Sequence, residues 1–430
     1  MATWLRTTMP DIPAAGELLT RPAQWQTLPH PWRWTRITIL ATFLLLWLRA
    51  VWLIYADTGL FYYLGTDFAM YWSQSAVLWS SPVSIYNLDA LNQELQPLFN
   101  AYSYNHPHAD AVHVPYPPLF AWLFTPFTLP APPIGLALWE GLNLIAAVYL
   151  AWRASQLFYG LDRPSAALLV LISFPIGICL IVGQPQILLA CAVAECYLSL
   201  RAGRDFAAGL WLACLLFKPQ YGLLFGLLLI WKGRWKAVAG AAAGGFVVLG
   251  ASIAVAGLAA LMTYPNVFEE YVGFRADWWE YMINWRALVL AWSPGITDRR
   301  GMFYTQVLSA LTILATIWAW RGPWAPRDAR FPMQVTLLLL ATLLTSHHSL
   351  SYGAAILAVP LASVLAEGMA GPWTRMAIVA GIILPALWFT VITVTDPAMS
   401  SRLTAYAQVL TLGGLLIDLW LRGRPVVDVR

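Results

Sequence analysis

The chain has 430 residues, of which 60% are hydrophobic and only 11% are charged, with a formal net charge of +4. A soluble domain carries about a quarter charged residues, so this composition excludes a soluble protein. At about 20 residues per span, apolar runs account for most of the length, which predicts an all-α polytopic membrane protein. The positive charge falls mainly in short loops, where it indicates orientation rather than binding to nucleic acid.

The cysteines indicate neither a disulfide framework nor a metal site. They lie inside apolar runs and lack the paired spacing of metal-binding motifs. The four are Cys179, Cys191, Cys196 and Cys214. We therefore predict no metal and no cofactor.

The N-terminal 36 residues predict a cytosolic tail followed by an uncleaved anchor. Residues 1–36 contain Pro, Trp and Arg but no apolar core followed by a cleavage site. The first span runs from Ile37 to Tyr55, and Arg33 and Arg36 before it place the N-terminus in the cytoplasm.

A large first outer loop, residues 56–117, follows this span. Within it, Phe68 to Trp79 and Leu88 to Phe99 carry apolar residues at helical spacing with polar residues between them. We predict that both form interfacial helices lying along the outer membrane surface.

Asp67 stands just beyond the first span, within the run Gly65-Thr66-Asp67-Phe68. A carboxylate at the membrane surface is well placed to take a proton from an acceptor hydroxyl, which makes Asp67 a candidate general base. The structural alternative is that Asp67 caps a helix starting at Phe68, since Thr and Asp are both good N-cap residues.

Leu119 to Leu129 is shorter than a span and is interrupted by Pro126, so we predict a half-helix that enters from outside and turns back near Pro130. With that choice, the basic loops all face the cytoplasm. About twelve crossings result, in one transmembrane domain at 37–421 with a second outer loop at 262–302 and a cytosolic tail at 422–430. After the first, the predicted spans are 134–157, 165–182, 186–200, 206–217, 221–231, 237–261, 303–320, 332–346, 351–366, 376–395 and 403–421.

Lys218 is a candidate phosphate ligand. It ends an apolar helix on the predicted outer face, against the positive-inside bias, and the chain has only two other lysines. It is either a snorkelling lysine at a helix end or a cation that holds a lipid-linked phosphate at the membrane edge.

His347 and His348 interrupt an otherwise apolar stretch. Neighbours on a helix point about 100° apart and rarely share a metal ion. The alternatives are hydrogen bonds to a phosphate or sugar, and a loop that is simply polarised toward solvent.

Polar residues within or between the predicted spans mark two further candidate sites. Gln184 lies in a polar turn between two spans, and Glu140 and Arg49 each lie roughly 10 Å inside their own spans. Because isolated charges at that depth are costly, we hypothesise that Glu140 and Arg49 pair. Glu195 is similarly deep and has no evident partner in the sequence.

The second outer loop places Arg275 and Arg286 among acids and tryptophans. Aromatics beside polar groups suit sugar recognition, and an interfacial aromatic belt explains the tryptophans equally well.

Several motifs occur in an order that resembles glycosyltransferase family 87, membrane enzymes of the GT-C type that include polyprenyl-phosphate-mannose-dependent α-mannosyltransferases. The resemblance covers about residues 60–360. The motifs are Gly65-Thr66-Asp67-Phe68, Val114-Pro115-Tyr116-Pro117-Pro118-Leu119, Gly183-Gln184, Phe217-Lys218-Pro219-Gln220 and Arg234-Trp235.

The resemblance implies a GT-C-type bundle and a sugar donor linked to a polyprenyl phosphate, used on the extracytoplasmic side of a bacterial plasma membrane. It implies that Asp67 is the base, and that Lys218 with His347 and His348 holds the phosphate. Tyr116, Gln184, Glu140, Arg275 and Arg286 complete the expected substrate-binding set. One departure is that Gly353 follows Tyr352, where many relatives carry an acid.

A phosphate leaving group needs no acid, so one carboxylate suffices for single-displacement inversion, whereas double displacement wants two close carboxylates. The expected partners are the donor, a lipid or glycan acceptor and membrane lipids. A transporter or flippase is the alternative. Transporters place broken helices near the midplane, often in two repeated halves, whereas here the polar residues collect at one face.

Overall fold

The computed structural model describes residues 30–105, 114–157, 163–268, 278–368, 370–392 and 397–422. Within these ranges the chain is helical and contains no β-strand. The α-helices are α1 His30–Thr58, α2 Thr66–Ser80, α3 Leu88–Tyr102, α4 Pro118–Phe124, α5 Pro132–Ser155, α6 Arg163–Leu171, α7 Phe174–Val182, α8 Gln186–Arg201, α9 Asp205–Ala213, α10 Leu223–Trp231, α11 Trp235–Thr263, α12 Trp285–Trp292, α13 Asp298–Ala319, α14 Phe331–Thr345, α15 Ala358–Ala366, α16 Pro372–Leu387 and α17 Ala398–Arg422.

Six of the described helices are long and apolar enough to cross a membrane, so the chain is a multi-pass membrane protein. A seventh crossing is possible if α6 and α7, which are bent by 52° at their junction, form one broken span. The six candidate spans are Ile37–Thr58, Pro132–Ser155, Trp235–Thr263, Asp298–Ala319, Pro372–Val391 and Ala398–Leu421.

The predicted count of about twelve crossings is not confirmed. Several segments predicted as spans are shorter apolar helices, because breaks divide the apolar runs: Lys218-Pro219 separates α9 from α10, and the polar loop 346–350 follows α14. The shorter apolar helices are Pro118–Phe127, Asp205–Phe217, Pro219–Trp231, Phe331–Thr345 and Ser351–Ala366.

Burial separates the lipid-facing helices from the central ones. α1, α11 and α13 expose large apolar side chains, such as Leu45 and Phe246, as lipid-facing helices do. In contrast, α8 and α14 are buried along almost their whole lengths. These two helices therefore form the middle of the bundle, which explains why they are apolar although they are short.

The first loop folds as two helices that pack on each other. The helices predicted at 68–79 and 88–99 are observed as α2 and α3, with bounds that differ by at most three residues. Their position along the membrane surface stays a prediction. Asn87 caps α3 by accepting a hydrogen bond from the Ala90 amide. Aromatic and leucine side chains between α2, α3, α4 and α5 form a core of their own beside the main one.

The predicted half-helix corresponds to α4 and a following 3₁₀ turn at Thr125–Phe127. Together they are too short to cross a bilayer of about 30 Å. α4 packs against α2 and α11, so it links the first loop to a membrane helix. Whether it enters the membrane stays a prediction.

The hypothesis that Arg49 pairs with Glu140 is wrong. The Arg49 Nη1 donates to the carbonyl of Thr390 at 3.4 Å, and both Glu140 carboxyl oxygens are buried without a hydrogen-bond partner in the described structure. The reason is that Glu140 packs against the turn at Gly183 rather than against α1. Glu195 does have partners, because Arg153 Nε donates to its carboxylate at 2.6 Å.

Candidate active site

A constrained turn between α1 and α2 positions Asp67. Phe61 and Gly65 have φ values of 69° and 74°, a region that is costly for a phenylalanine. The Phe61 ring offsets this cost by stacking on Phe68, with 6.0 Å between ring centroids. The Gly65 amide donates to the carbonyl of Ile181 at 2.7 Å, so the start of α2 is tied to the end of α7.

Asp67 lies in the first turn of α2 and does not cap it. Gly65 occupies the N-cap position, and no side chain makes a capping hydrogen bond. The capping interpretation is therefore excluded, and the carboxylate is available for another role.

Gln184 is the main partner of Asp67. Its Nε2 donates to Asp67 Oδ2, while its Oε1 accepts from Lys218 Nζ at 2.9 Å and from the Tyr116 hydroxyl at 3.2 Å. These contacts fix which end of the amide faces the carboxylate. Asp67, Gln184 and Lys218 therefore form one hydrogen-bonded chain.

Gly183 explains how Gln184 reaches Asp67. Its φ of 81° ends α7 in the left-handed conformation. A Cβ at this position would stand 2.9 Å from the Cβ of Phe68, the residue after Asp67. Only glycine allows the turn and α2 to approach this closely.

Lys218 lies between two 3₁₀ turns, at Cys214–Phe217 and Pro219–Tyr221, and is only 4% exposed. Its ammonium group lies 4.6 Å from the ring centroid of Tyr352 and 5.3 Å from that of Tyr116. Such cation–π contacts stabilise a desolvated cation. In this conformation Lys218 therefore faces Gln184 and two aromatic rings.

The pKa values of Asp67 and Lys218, the two charged ends of the hydrogen-bonded chain, suit proton transfer near neutral pH. Burial raises the pKa of the Asp67 carboxyl to about 6, while the hydrogen bond from Gln184 and the charge of Lys218 oppose that rise. Burial lowers the pKa of the Lys218 ammonium to about 8, and the charge of Asp67 opposes that fall. At pH 7 both groups are mainly ionised.

Asp67 opens into a pocket with about 830 Å³ of empty space, including its mouth. Aromatic and aliphatic side chains both line its walls, and Asp67 is the only acid among the described residues that line it. The lining consists of Ile54, Tyr63, Asp67, Ile178, Ile181, Val182, Trp278, Tyr281, Leu350, Ser351, Tyr352, Phe389 and Pro397.

The loop after α14 brings the two histidines to the same region. The Asn284 amide donates to the carbonyls of Ser346 and His347, and Arg286 Nη1 donates to the latter at 3.4 Å. Arg286 is only 2% exposed. Burial, followed by the charges of Lys218 and Arg286, lowers the pKa of His348 to about 3, so this imidazole is neutral at pH 7.

The structure brings most of the predicted site residues together and separates a few. Asp67, Gln184, Lys218 and Tyr116 touch, and the charges of Lys218 and Arg286 reach His348. His347 is exposed on the loop, and Glu140 packs against the turn at Gly183. Arg275 lies outside the described residues.

Three tyrosines of the pocket were not predicted as site residues. Tyr63, Tyr281 and Tyr352 line it, and Tyr352 also contacts Lys218. Of the three, only Tyr352 has a feature in the sequence that marks it, because it ends the polar Ser-His-His run. The other two stand in aromatic segments whose composition equally predicts an interfacial belt.

No group of three or more His, Cys, Asp or Glu side chains in the described residues could hold a metal ion. The donor groups at the candidate site are instead one carboxylate, one amide and cations, with tyrosine rings around them. This set suits hydroxyl and sugar recognition.

Comparison with known proteins places this site in context. The model of glycosyltransferase family 87 matches residues 114–347, more than half of the chain. Gln184, Lys218 and Arg286 lie inside the match, and Asp67 precedes it. No curated protein and no solved structure matches the chain.

Proposed function

Because the chain belongs to glycosyltransferase family 87 and is thus a membrane glycosyltransferase, we propose that it transfers a sugar from a polyprenyl-phosphate donor to a lipid or glycan acceptor. We propose mannose as the sugar and Asp67 as the general base. The single observation that carries this proposal is the Asp67 carboxylate, which lines a pocket with aromatic and aliphatic walls and is held by Gln184.

The position and pKa of Asp67 support the role of base. A general base is most effective when its pKa lies near the working pH, since it must be ionised and still accept a proton. A carboxyl with a pKa of about 6 meets both conditions. The hydrogen bond from Gln184 holds the carboxylate in place, which lowers the cost of orienting it.

The single carboxylate supports inversion. A retaining double displacement wants two carboxyl groups about 5 Å apart, and Asp67 is the only acid in the described lining of the pocket. In the proposed step, the acceptor oxygen attacks the anomeric carbon while Asp67 takes the hydroxyl proton. The bond to the phosphate oxygen breaks, and the phosphate leaves with the electron pair.

Positive charge near the pocket supports an anionic leaving group. Lys218 and Arg286 are both buried, and burial strengthens their interaction with a nearby phosphate. Lys218 has a second role in the proposal, because it orients Gln184 and favours the ionised form of Asp67. His347 and His348 are proposed to contact the donor through hydrogen bonds.

The proposed side of the membrane follows from the N-terminal arginines. If Arg33 and Arg36 lie in the cytoplasm, α1 carries the chain outward and Asp67 lies at the outer surface. We propose that the membrane is the bacterial plasma membrane, since family resemblance points there.

The proposal is tested by incubating purified protein with β-linked polyprenyl-phosphate sugars and an extract of envelope acceptors. The product's anomeric configuration is then read by NMR. We expect transfer from one donor, mannose first, with an α-linked product. A β-linked product would overturn the inverting mechanism, and no transfer from any such donor would overturn the donor class.

A further inference from the structure

One face of α5 holds the turn that carries Gln184. Trp139 Nε1 donates to the carbonyl of Gly183 at 2.7 Å. The Asn143 amide satisfies both of its ends when Nδ2 donates to the carbonyl of Gln184 at 3.3 Å and Oδ1 accepts from Trp139 Nε1 at 3.0 Å. The carbonyls of Gly183 and Gln184 are therefore both bonded to side chains of a single helix.

Asn143 is costly at its position unless it has such partners. It is fully buried and lies about 16 Å from the start of α5, at 1.5 Å per residue. α5 is long and apolar enough to span the membrane, and a buried amide in such surroundings destabilises the protein unless it forms hydrogen bonds. The bonds to the turn offset that cost, which explains why an amide occupies this position.

Aromatic packing fixes the ring of Trp139. Its centroid lies 4.9 Å from that of Phe124 and 5.1 Å from that of Phe127, both in edge-to-face contact. The side chain is only 3% exposed. Because edge-to-face packing favours one ring orientation, the indole N–H has a fixed direction, toward the carbonyl of Gly183.

The same face of α5 supports the segment that carries Asp67. A Cβ on Gly65 would stand 2.9 Å from Leu136 Cδ2, and a Cβ on Gly135 would stand 3.2 Å from Phe68 Cζ. Gly135 and Leu136 precede Trp139 by four and three residues, which places them on its side of the helix. α5 therefore contacts both segments whose side chains meet, the start of α2 and the end of α7.

We propose that Trp139 and Asn143 are positioning residues, which hold the turn so that the Gln184 amide faces Asp67. Their hydrogen bonds go to the turn and not to the carboxylate, so each acts through Gln184. This inference rests on the proposed role of Asp67 as the base, and it extends the machinery of the site to a membrane helix behind it.

Loosening the turn has an effect of known sign on Asp67. The hydrogen bond from Gln184 lowers the pKa of the Asp67 carboxyl and opposes the larger effect of burial. When the turn moves, this bond weakens, the pKa rises, and more of the base is protonated at a given pH. The acid limb of kcat/KM then moves to higher pH, which a general loss of stability does not produce.

The first test compares Trp139→Phe with the matched control Trp320→Phe. Each removes a buried indole N–H from a backbone carbonyl, because Trp320 is also 3% exposed and donates to the carbonyl of Gln334 at 3.0 Å. We expect similar falls in the thermal midpoint, but an acid limb shifted up by about one pH unit in Trp139→Phe alone. The same acid limb in both variants would overturn the inference.

A double-mutant cycle shows whether the effect passes through Gln184. Gln184→Met removes the amide and keeps the length of the side chain, and Asn143→Leu removes both hydrogen bonds of Asn143 at similar volume. We expect each single variant to shift the acid limb up by about one unit. The double variant should shift it no further than Gln184→Met does. Additive shifts would overturn the inference, because Asn143 would then act on Asp67 by another route.

A readout that needs no transfer separates this inference from the proposed function. Infrared difference spectra follow protonation of the Asp67 carboxyl, and Asp67→Asn identifies its band. We expect a midpoint of about 6 in the parent and about one unit higher in Asn143→Leu. An unchanged midpoint would overturn the inference even if Asp67 proves to be the base. A raised midpoint without transfer from any donor would support the positioning of Asp67 and overturn only the proposed reaction.

Discussion

Replacing Lys218 by methionine removes a buried positive charge and keeps the length of the side chain. The ammonium and the Asp67 carboxylate are the two ends of a chain that runs through the Gln184 amide. Two hydrogen bonds and one amide separate the two charges by about 6 Å. At an effective dielectric constant of about 20, which suits buried sites, the energy of attraction between them is about 3 kcal/mol.

This energy sets the expected shift of the pH profile. One pKa unit corresponds to about 1.4 kcal/mol, so the loss of about 3 kcal/mol should raise the pKa of Asp67 by about two units, from about 6 to about 8. The base works in its ionised form, and a higher pKa therefore moves the acid limb of kcat/KM to higher pH. Activity should therefore fall by more than about tenfold at pH 6.5, where little of the carboxyl is still ionised, and recover at pH 9.

The assay is transfer measured from pH 5 to pH 9 for the parent and Lys218→Met, with Lys236→Met, an exposed lysine on α11, as the control. A uniform loss at every pH, with the midpoint still near 6, would refute the electrostatic role. In that case Lys218 would act only as a phosphate ligand, which changes affinity rather than the titration of the base.

Two further substitutions test the geometry of the site. Gly183→Ala incurs the left-handed backbone cost of about 1 kcal/mol and also a contact with Phe68, whereas Gly203→Ala incurs only the first because its Cβ would meet nothing. The thermal midpoint should therefore fall further in the former variant, and equal falls would contradict the packing argument. Tyr352→Phe keeps the ring beside Lys218 and should retain most transfer activity, while Tyr352→Leu should lower kcat/KM about fivefold or more. Equal activities of the two variants in the transfer assay would show that the ring is not needed.

Sequence predicted the elements of the site better than the number of membrane crossings. Hydrophobic runs identify apolar segments but cannot tell a lipid-facing helix from a buried one. α8 and α14 are as apolar as spans, yet they lie in the middle of the bundle. Only tertiary packing distinguishes the two cases, so the count of about twelve went beyond what periodicity supports.

The residues that meet at Asp67 were found because each breaks an apolar pattern. Gln184, Lys218 and His348 are polar groups where apolar ones are expected, and such exceptions are costly unless they have a partner. The pairing itself was not predictable. Glu140 and Arg49 lie at the same predicted depth in their spans, but depth does not say toward which side of the helix a side chain points. In the structure their side chains have different neighbours.

The pocket tyrosines could not be separated from the interfacial aromatic belt. Tyr63 and Tyr281 lie more than 200 residues apart in the chain, and no local spacing connects them. They become neighbours of Asp67 only after the turn at Gly65 and the loop pairing of Met282 with Leu350 have formed.

The measurement that tests the central claim most directly is transfer by Asp67→Asn, with donor binding recorded in the same preparation. Asp89→Asn, an exposed acid in the first turn of α3, is the matched control. We expect Asp67→Asn to lose about 10²- to 10⁴-fold in kcat with donor affinity retained, and the control to match the parent. A kcat within a few-fold of the parent would contradict the assignment of Asp67 as the base.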